Sequence, residues 1–344
     1  MKVLIINNAV PFIRGGAEAL ANALTSKLNE SPNISAELLR IPFRWDPIER
    51  LLDETLLVRQ LRLINVDRVI ALKYPAYLIE HNHKTIWLLH QFRQAYDLRD
   101  PHGDPFGSVE YGNSLLKLIK NADHEAFKRS RALFTNSPVT QERLRRFNGF
   151  NAEVLYPPLF DPDIFRNESD SKYVFAGGRI GMGKRQHLLI EAMRDVRNVK
   201  LIIAGPPDDP NYAAYLNQLI ESYDLQDRVD LRLGFRPRAE IASLVNNASA
   251  CAYLPVDEDS LGYVTMEAAQ AAKPVLTLFD AGGLLQIVEN DISGIVTNPD
   301  VPAISEALSK FSNPTLCRRL GEQLRERWLA MEINWDHTLE RLIG

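Results

Sequence analysis

Two acids set the first chemical question. In DSLGYVTMEAAQAAKPVLTL (259–278), Asp259 and Glu267 stand eight positions apart. An apolar run ends at Leu254, a loop containing Pro255 follows, and a helix is predicted to start around Gly262. One acid therefore sits in the loop before the helix and the other on its second turn. The first backbone N–H groups of a helix lack intrahelical acceptors and carry the positive end of its dipole, so they suit an anion such as a diphosphate. A carboxylate on either side can accept hydrogen bonds from sugar and ribose hydroxyls. The same spacing also fits solvated acids flanking an amphipathic helix.

A second segment, FAGGRIGMGKRQHLLIEAM (175–193), follows another apolar run. Gly178 to Lys184 fits G-x4-G-K, the phosphate loop of nucleoside triphosphatases. That loop needs Ser or Thr next, to hold magnesium, and this chain has Arg185. Two cations, Arg179 and Lys184, are the other feature. Both reaching one diphosphate would stabilise the charge that develops on a leaving group. Ordinary surface charge on a strand–helix loop is the plain alternative.

These segments need a scaffold that brings strand ends together. Short apolar runs, rich in β-branched residues, recur at 2–6, 68–71, 85–89 and 132–135, then at 173–177, 200–205, 229–234, 250–254 and 274–278. Continuous apolar runs, rather than alternation, predict strands covered on both faces. Helical spacing lies between them, as in 17–28 and 185–196. The alternation predicts parallel, doubly wound sheets. PPLFDPDIFRNESDSK (157–172), with three prolines and no periodicity, reads as a linker. It separates an α/β domain over 1–165 from another over 166–327. The tail, about 328–344, is helical with an interruption near Ile333 and Asn334, and is expected to pack back on the first domain.

The run D-S-L-G-Y-V-T-M-E-A-A-Q-A-A-K-P-V resembles the E-x7-E motif of retaining glycosyltransferases of GT-B fold, specifically glycosyltransferase family 4. Asp259 departs from it, since the family has Glu there. The resemblance implies two Rossmann-like domains facing a cleft, the first binding the acceptor and the second a nucleotide diphosphate-sugar, with UDP-glucose the donor expected. It implies that Asp259 contacts the transferred sugar, that Glu267 holds the ribose hydroxyls, and that Gly262, Tyr263 and Val264 give backbone donors to the diphosphate. Arg179 and Lys184 match the family's diphosphate clamp, which works without a metal or other cofactor. Phe235 and Arg236, just after Gly234, would lie near the base.

In the first domain, Gly15-Gly16 of NNAVPFIRGGAEALANAL (7–24) resembles the family's G-G-x-E loop, which faces the donor phosphates. As a lone pair of glycines it also fits a plain turn. His90, ending the run WLLH, is either a satisfied core histidine or, as the resemblance implies, a group beside the reacting sugar. Arg93 would add an acceptor contact. The acceptor expected is a saccharide or a lipid-linked sugar, in glycan or polysaccharide synthesis. Asp257-Glu258-Asp259 contains D-x-D, a metal motif of the other large transferase fold, but the clamp and the two α/β halves argue against a metal here. A nucleotide-sugar epimerase of the same fold and a non-catalytic nucleotide-sugar-binding subunit are the alternative readings.

Composition excludes several other classes. Forty basic against 44 acidic residues give a net charge of −4, which is unsuited to nucleic-acid binding. Two cysteines make no disulfide framework. MKVLIINNAV turns polar too soon for a signal peptide, and no run reaches the ~18 apolar residues of a membrane span. A cytoplasmic protein is expected. The basic stretches LLKLIKNADHEAFKRSRALF (115–134) and QERLRRF (141–147) could rest on anionic lipid at the inner face of a membrane, or form a solvated face.

Overall fold

A computed structural model describes residues 1–12, 15–98, 105–169 and 171–344. Its strands are β1 (Lys2–Ala9), β2 (Ser35–Pro42), β3 (Arg68–Ala71), β4 (Lys84–Leu88), β5 (Ala132–Thr135), β6 (Glu153–Val154), β7 (Tyr173–Gly177), β8 (Lys200–Gly205), β9 (Val229–Leu233), β10 (Ala250–Ala252), β11 (Val275–Leu278) and β12 (Gly294–Thr297). They form two six-stranded sheets in which every pairing is parallel. The first has the order β2-β1-β3-β4-β5-β6 and the second β12-β11-β10-β7-β8-β9. The fold is thus α/β with two doubly wound parallel sheets, and the second sheet has the strand order of a dinucleotide-binding fold. The nine apolar runs all fall on strands.

Three strands lack an apolar run of that kind. β2, an edge strand, buries only Ala36 and Ile41, and its apolar residues are interrupted by Glu37 and Arg40. β6 is two residues long, and β12 is a four-residue edge strand.

The chain divides into one unit of Met1–Pro158 with Ile333–Gly344 and another of Leu159–Glu332. The sequence put these divisions at 165/166 and 327/328. The second unit begins earlier because the Pro-rich segment is hydrogen-bonded to it. Arg166 N–H donates to Asn246 Oδ1 (3.0 Å), Asn246 Nδ2 to the Ile164 carbonyl (2.9 Å), and Lys273 Nζ to Asn167 Oδ1 (2.6 Å). In the first unit, the tail helix Trp335–Ile343 starts at Asn334, whose side chain accepts from His337 N–H (2.9 Å). Thr85 Oγ1 donates to the Leu342 carbonyl (3.2 Å), and Arg341 pairs with Glu153.

Each sheet is covered by helices on a separate core. Val69, Ile86 and Leu88 meet Leu51, Ile119 and Phe127 in the first unit; Val174, Leu201 and Leu276 meet Ile190, Leu216 and Leu308 in the second. Each such side chain contributes about 1.5–3 kcal/mol on burial. Among the described residues no helix is long and apolar enough to cross a membrane.

Candidate active site

A doubly wound sheet binds ligands beyond the carboxyl ends of its strands, where the strand order reverses. In the second unit that point lies between β7 and β10, so the loops after these strands hold the candidate groups. The backbone there is tightly packed. Gly205 ends β8 with φ +157°, and a Cβ on it would lie 1.8 Å from the Gly178 carbonyl oxygen. Only glycine lets the ends of β7 and β8 approach so closely.

Arg179 and Lys184 both project from the loop after β7. Arg179 Nη1 donates to Asp208 Oδ1 (3.1 Å), with both side chains nearly half exposed. Lys184 Nζ donates to Tyr253 Oη (2.8 Å) and pairs with Glu258, while Tyr253 Oη donates to Glu258 Oε2 (2.7 Å). Burial pushes the Glu258 carboxyl up, but Lys184, Tyr253 and Arg179 together outweigh it, and its pKa lies below the ordinary value. Each proposed clamp cation therefore has a carboxylate partner.

Arg185 has a different job. It adopts φ 53° ahead of helix Gln186–Ala192, which starts later and ends earlier than the predicted 185–196. Its guanidinium donates to the carbonyls of Leu254 (2.8 Å) and Pro255 (2.6 Å) and to both oxygens of Asp280 (2.8 and 2.7 Å). Gly183 O accepts from Val256 N–H (3.0 Å), and Glu258 N–H donates to Ala281 O (2.9 Å). The loops after β7, β10 and β11 are thereby stapled into one rigid ledge.

The helix after β10 spans Tyr263–Gln270, with Gly262 at its N-cap. Gly262 has φ 74°, and a Cβ there would stand 2.6 Å from Tyr253 Cε1. The Tyr263 and Val264 N–H groups are left without acceptors in the helix. Val264 faces Gly178, whose hypothetical Cβ would lie 3.3 Å from Val264 Cγ2, so helix start and β7 loop adjoin. Asp259 is partly exposed, and its charge helps, after burial and Glu258, to push the Tyr253 hydroxyl up.

Glu267, on the second turn, is 5% exposed. Its Oε1 accepts from Arg238 Nη1 (2.5 Å), and Arg238 also forks onto Asp161 with contacts of 2.6 and 3.1 Å. Burial raises the Glu267 pKa, Arg238 opposes the rise and Asp161 adds to it. Phe235 is exposed and Arg236 donates to the Leu233 carbonyl (3.2 Å). Both stand at the end of edge strand β9, two places from β7.

In the first unit the order reverses between β1 and β3. Gly15 is the N-cap of helix Gly16–Asn29, and its N–H donates to Glu18 Oε2 (2.9 Å). Glu18 Oε1 accepts from Lys73 Nζ (3.0 Å), just beyond β3. Burial raises the Glu18 pKa, but Lys73 and the Gly15 bond bring it below the ordinary value. His90, half-buried two residues beyond β4, has Nδ1 2.7 Å from the Gln91 carbonyl oxygen. If Nδ1 carries the hydrogen, Nε2 is left as the acceptor. Arg93 is bound to Asp97 (2.9 Å), which Arg143 also contacts (3.1 Å).

Sequence reasoning passed over Glu258, Tyr253, Arg185, Arg238 and Asp161. Glu258 was visible only as the middle of an acidic triplet, and Arg238 as the second of two arginines just after Gly234. No local pattern marks which charges will pair across loops.

Residues 160–327 match the family described as glycosyl transferases group 1. The match falls within the second unit. Arg179, Lys184, Asp259 and Glu267 all lie within the matched span. The chain is 27% identical over 214 residues to human alpha-1,3/1,6-mannosyltransferase ALG2, covering 55% of this chain and 51% of that protein. It is 29% identical over 262 residues to the D-inositol 3-phosphate glycosyltransferase of Mycolicibacterium smegmatis, covering 73% and 57%. The chain thus spans little more than half the length of these relatives. Anabaena HepE, solved in complex with UDP and glucose, superposes with a TM-score of 0.72 at 18% identity, covering 99% of each chain. At that identity the likeness speaks for the fold, which is of the GT-B type.

Proposed function

We propose that this protein is a retaining, metal-independent glycosyltransferase of glycan biosynthesis. It moves a hexose from a nucleotide diphosphate-sugar, with UDP-glucose the first candidate, to a saccharide or lipid-linked acceptor. The observation that carries the reading is the gathering of Arg179, Lys184 and the open helix start at Gly262–Val264 beyond β7 and β10. Fixed cations and backbone N–H groups there are suited to a diphosphate. The relatives' names support transfer of a hexose, and the UDP and glucose held by HepE support a uridine nucleotide.

In this reading Arg179 and Lys184 take up the negative charge that grows on the leaving diphosphate, which lowers the barrier to breaking the sugar–phosphate bond. Asp259 contacts the transferred sugar and Glu267 the ribose. The leaving phosphate accepts the proton of the acceptor hydroxyl on the same face, so configuration is retained. His90 orients the sugar, and Gly15, Gly16 and Arg93 keep the phosphate and acceptor contacts the family resemblance implies.

The test is turnover of radiolabelled UDP-glucose, UDP-galactose, UDP-N-acetylglucosamine and GDP-mannose with mixed saccharide and lipid-linked acceptors, with and without EDTA. An α-linked product from an α-linked donor, formed in EDTA, supports the reading. Inversion, or loss of turnover that Mn²⁺ restores, overturns its mechanism; epimerised free donor overturns the transferase assignment.

A further inference from the structure

Glu267 and Asp161 share one cation. Arg238 gives Nε and Nη2 to Asp161 and only Nη1 to Glu267. Two carboxylates against one guanidinium leave a net negative charge beside the buried Glu267 carboxyl, which is costly there unless further donors arrive. Glu267 Oε2 has no hydrogen-bond donor among the described residues. A second group nearby is also unsatisfied: the buried Tyr263 hydroxyl has no partner among the described residues, and both Glu267 and Arg238 act on it electrostatically. The guanidinium itself is immobilised, 4.8 Å from the Phe165 ring centroid and 5.9 Å from that of Phe160, whose ring lies 4.3 Å from Tyr263.

Neutral hydroxyl donors fit this spot better than an anion does, because the local charge is already negative. We propose that Arg238 is a positioning residue of the donor site: anchored on Asp161, it engages Oε1 of Glu267 and leaves Oε2 aimed for the vicinal hydroxyls of the donor's ribose. This rests on the reading that Glu267 binds ribose. Arg238 also opposes protonation of the carboxyl. Burial and the neighbouring Asp161 favour the protonated acid, Tyr263 and Cys251 are uncharged around it, and the guanidinium is the group that opposes them.

The test is calorimetric titration with UDP or GDP, whichever binds the wild-type chain more tightly, and with its 2′,3′-dideoxy analogue. Arg238→Gln is expected to weaken the ribonucleotide about tenfold while changing the dideoxy analogue little. Its loss should grow as pH falls, because without the guanidinium Glu267 takes up a proton more readily; the wild type should be flatter. Arg238→Lys should recover part of the affinity, and it decides the matter if the Gln variant does not fold. Glu267→Gln should reproduce the same discrimination, and the double variant should add little. Equal losses for both nucleotides in the Arg238 variants would overturn the positioning role, leaving a structural one. If Glu267→Gln itself fails to discriminate, the ribose reading falls instead.

Discussion

Lys184 and Glu258 form an ion pair that also includes the Tyr253 hydroxyl, beside the glycine that starts the helix after β10. The carboxylate stands on the cation proposed to meet the donor's diphosphate. A phosphate reaching Lys184 must therefore displace it or approach against its charge. At a short separation and partial burial such repulsion amounts to a few kcal/mol at most.

Glu258→Gln should accordingly tighten binding of UDP, by up to about tenfold after allowing for solvent screening. Calorimetry checks this. Weaker binding in the variant would mean that Glu258 mainly orients Lys184.

Removing either clamp cation should act in the opposite direction. Arg179→Ala and Lys184→Ala each delete a charge-assisted contact of roughly 1.5–3 kcal/mol, so UDP affinity should fall about 10- to 100-fold. Unchanged affinity in both variants would remove the clamp from the account.

The two acids of the D-x7-E run should fail differently. Ribose does not change during transfer, so Glu267→Gln should mainly raise the donor KM, by about tenfold. The transferred sugar gains positive character as its bond to phosphate breaks, so Asp259→Asn should lower kcat more than it raises KM. Asp259→Glu, which restores the family's residue, should keep much of the activity. Steady-state kinetics with one identified donor separates these outcomes.

Gly262→Ala should cost stability of about 1–2 kcal/mol, because the new Cβ meets Tyr253 at a left-handed backbone position. Displacing Tyr253 should also disturb the Lys184 pair, so UDP affinity should fall with the melting temperature. A variant that melts like the wild type would show that the helix start can relax.

Asp123 predicts a pH effect in the first unit. It is fully buried, accepts from Tyr77 Oη (2.9 Å) and Tyr96 Oη (2.8 Å), and burial pushes its pKa to about 7, against the pull of the two hydroxyls. The unfolded chain releases this proton near pH 4, whereas the folded chain keeps it to about pH 7. Its stabilising contribution is greatest below about pH 4 and disappears as pH rises to about 7. The stability difference between wild type and Asp123→Asn, from urea midpoints, should shrink across that window and level off above it. A difference independent of pH would show that Asp123 ionises normally.

What the sequence determined by itself is local and repetitive. Apolar runs such as KVLII and YVFAG name buried parallel strands because both faces of such strands are covered. The interruption near Ile333 and Asn334 marks the break before the tail helix, and Gly262 the start of the helix after β10. The edge strand β2 escaped because its apolar residues, broken by Glu37 and Arg40, make neither a continuous run nor an alternation. Tertiary structure decided which charges meet. Arg185 follows Lys184 directly, yet one staples Asp280 and two carbonyls while the other joins Glu258 and Tyr253. Arg238 reaches back to Asp161 and forward to Glu267. Spacing along the chain fixes neighbours on one helix or loop; pairing between loops depends on strand order, which brings β7 beside β10 only once the sheet has formed.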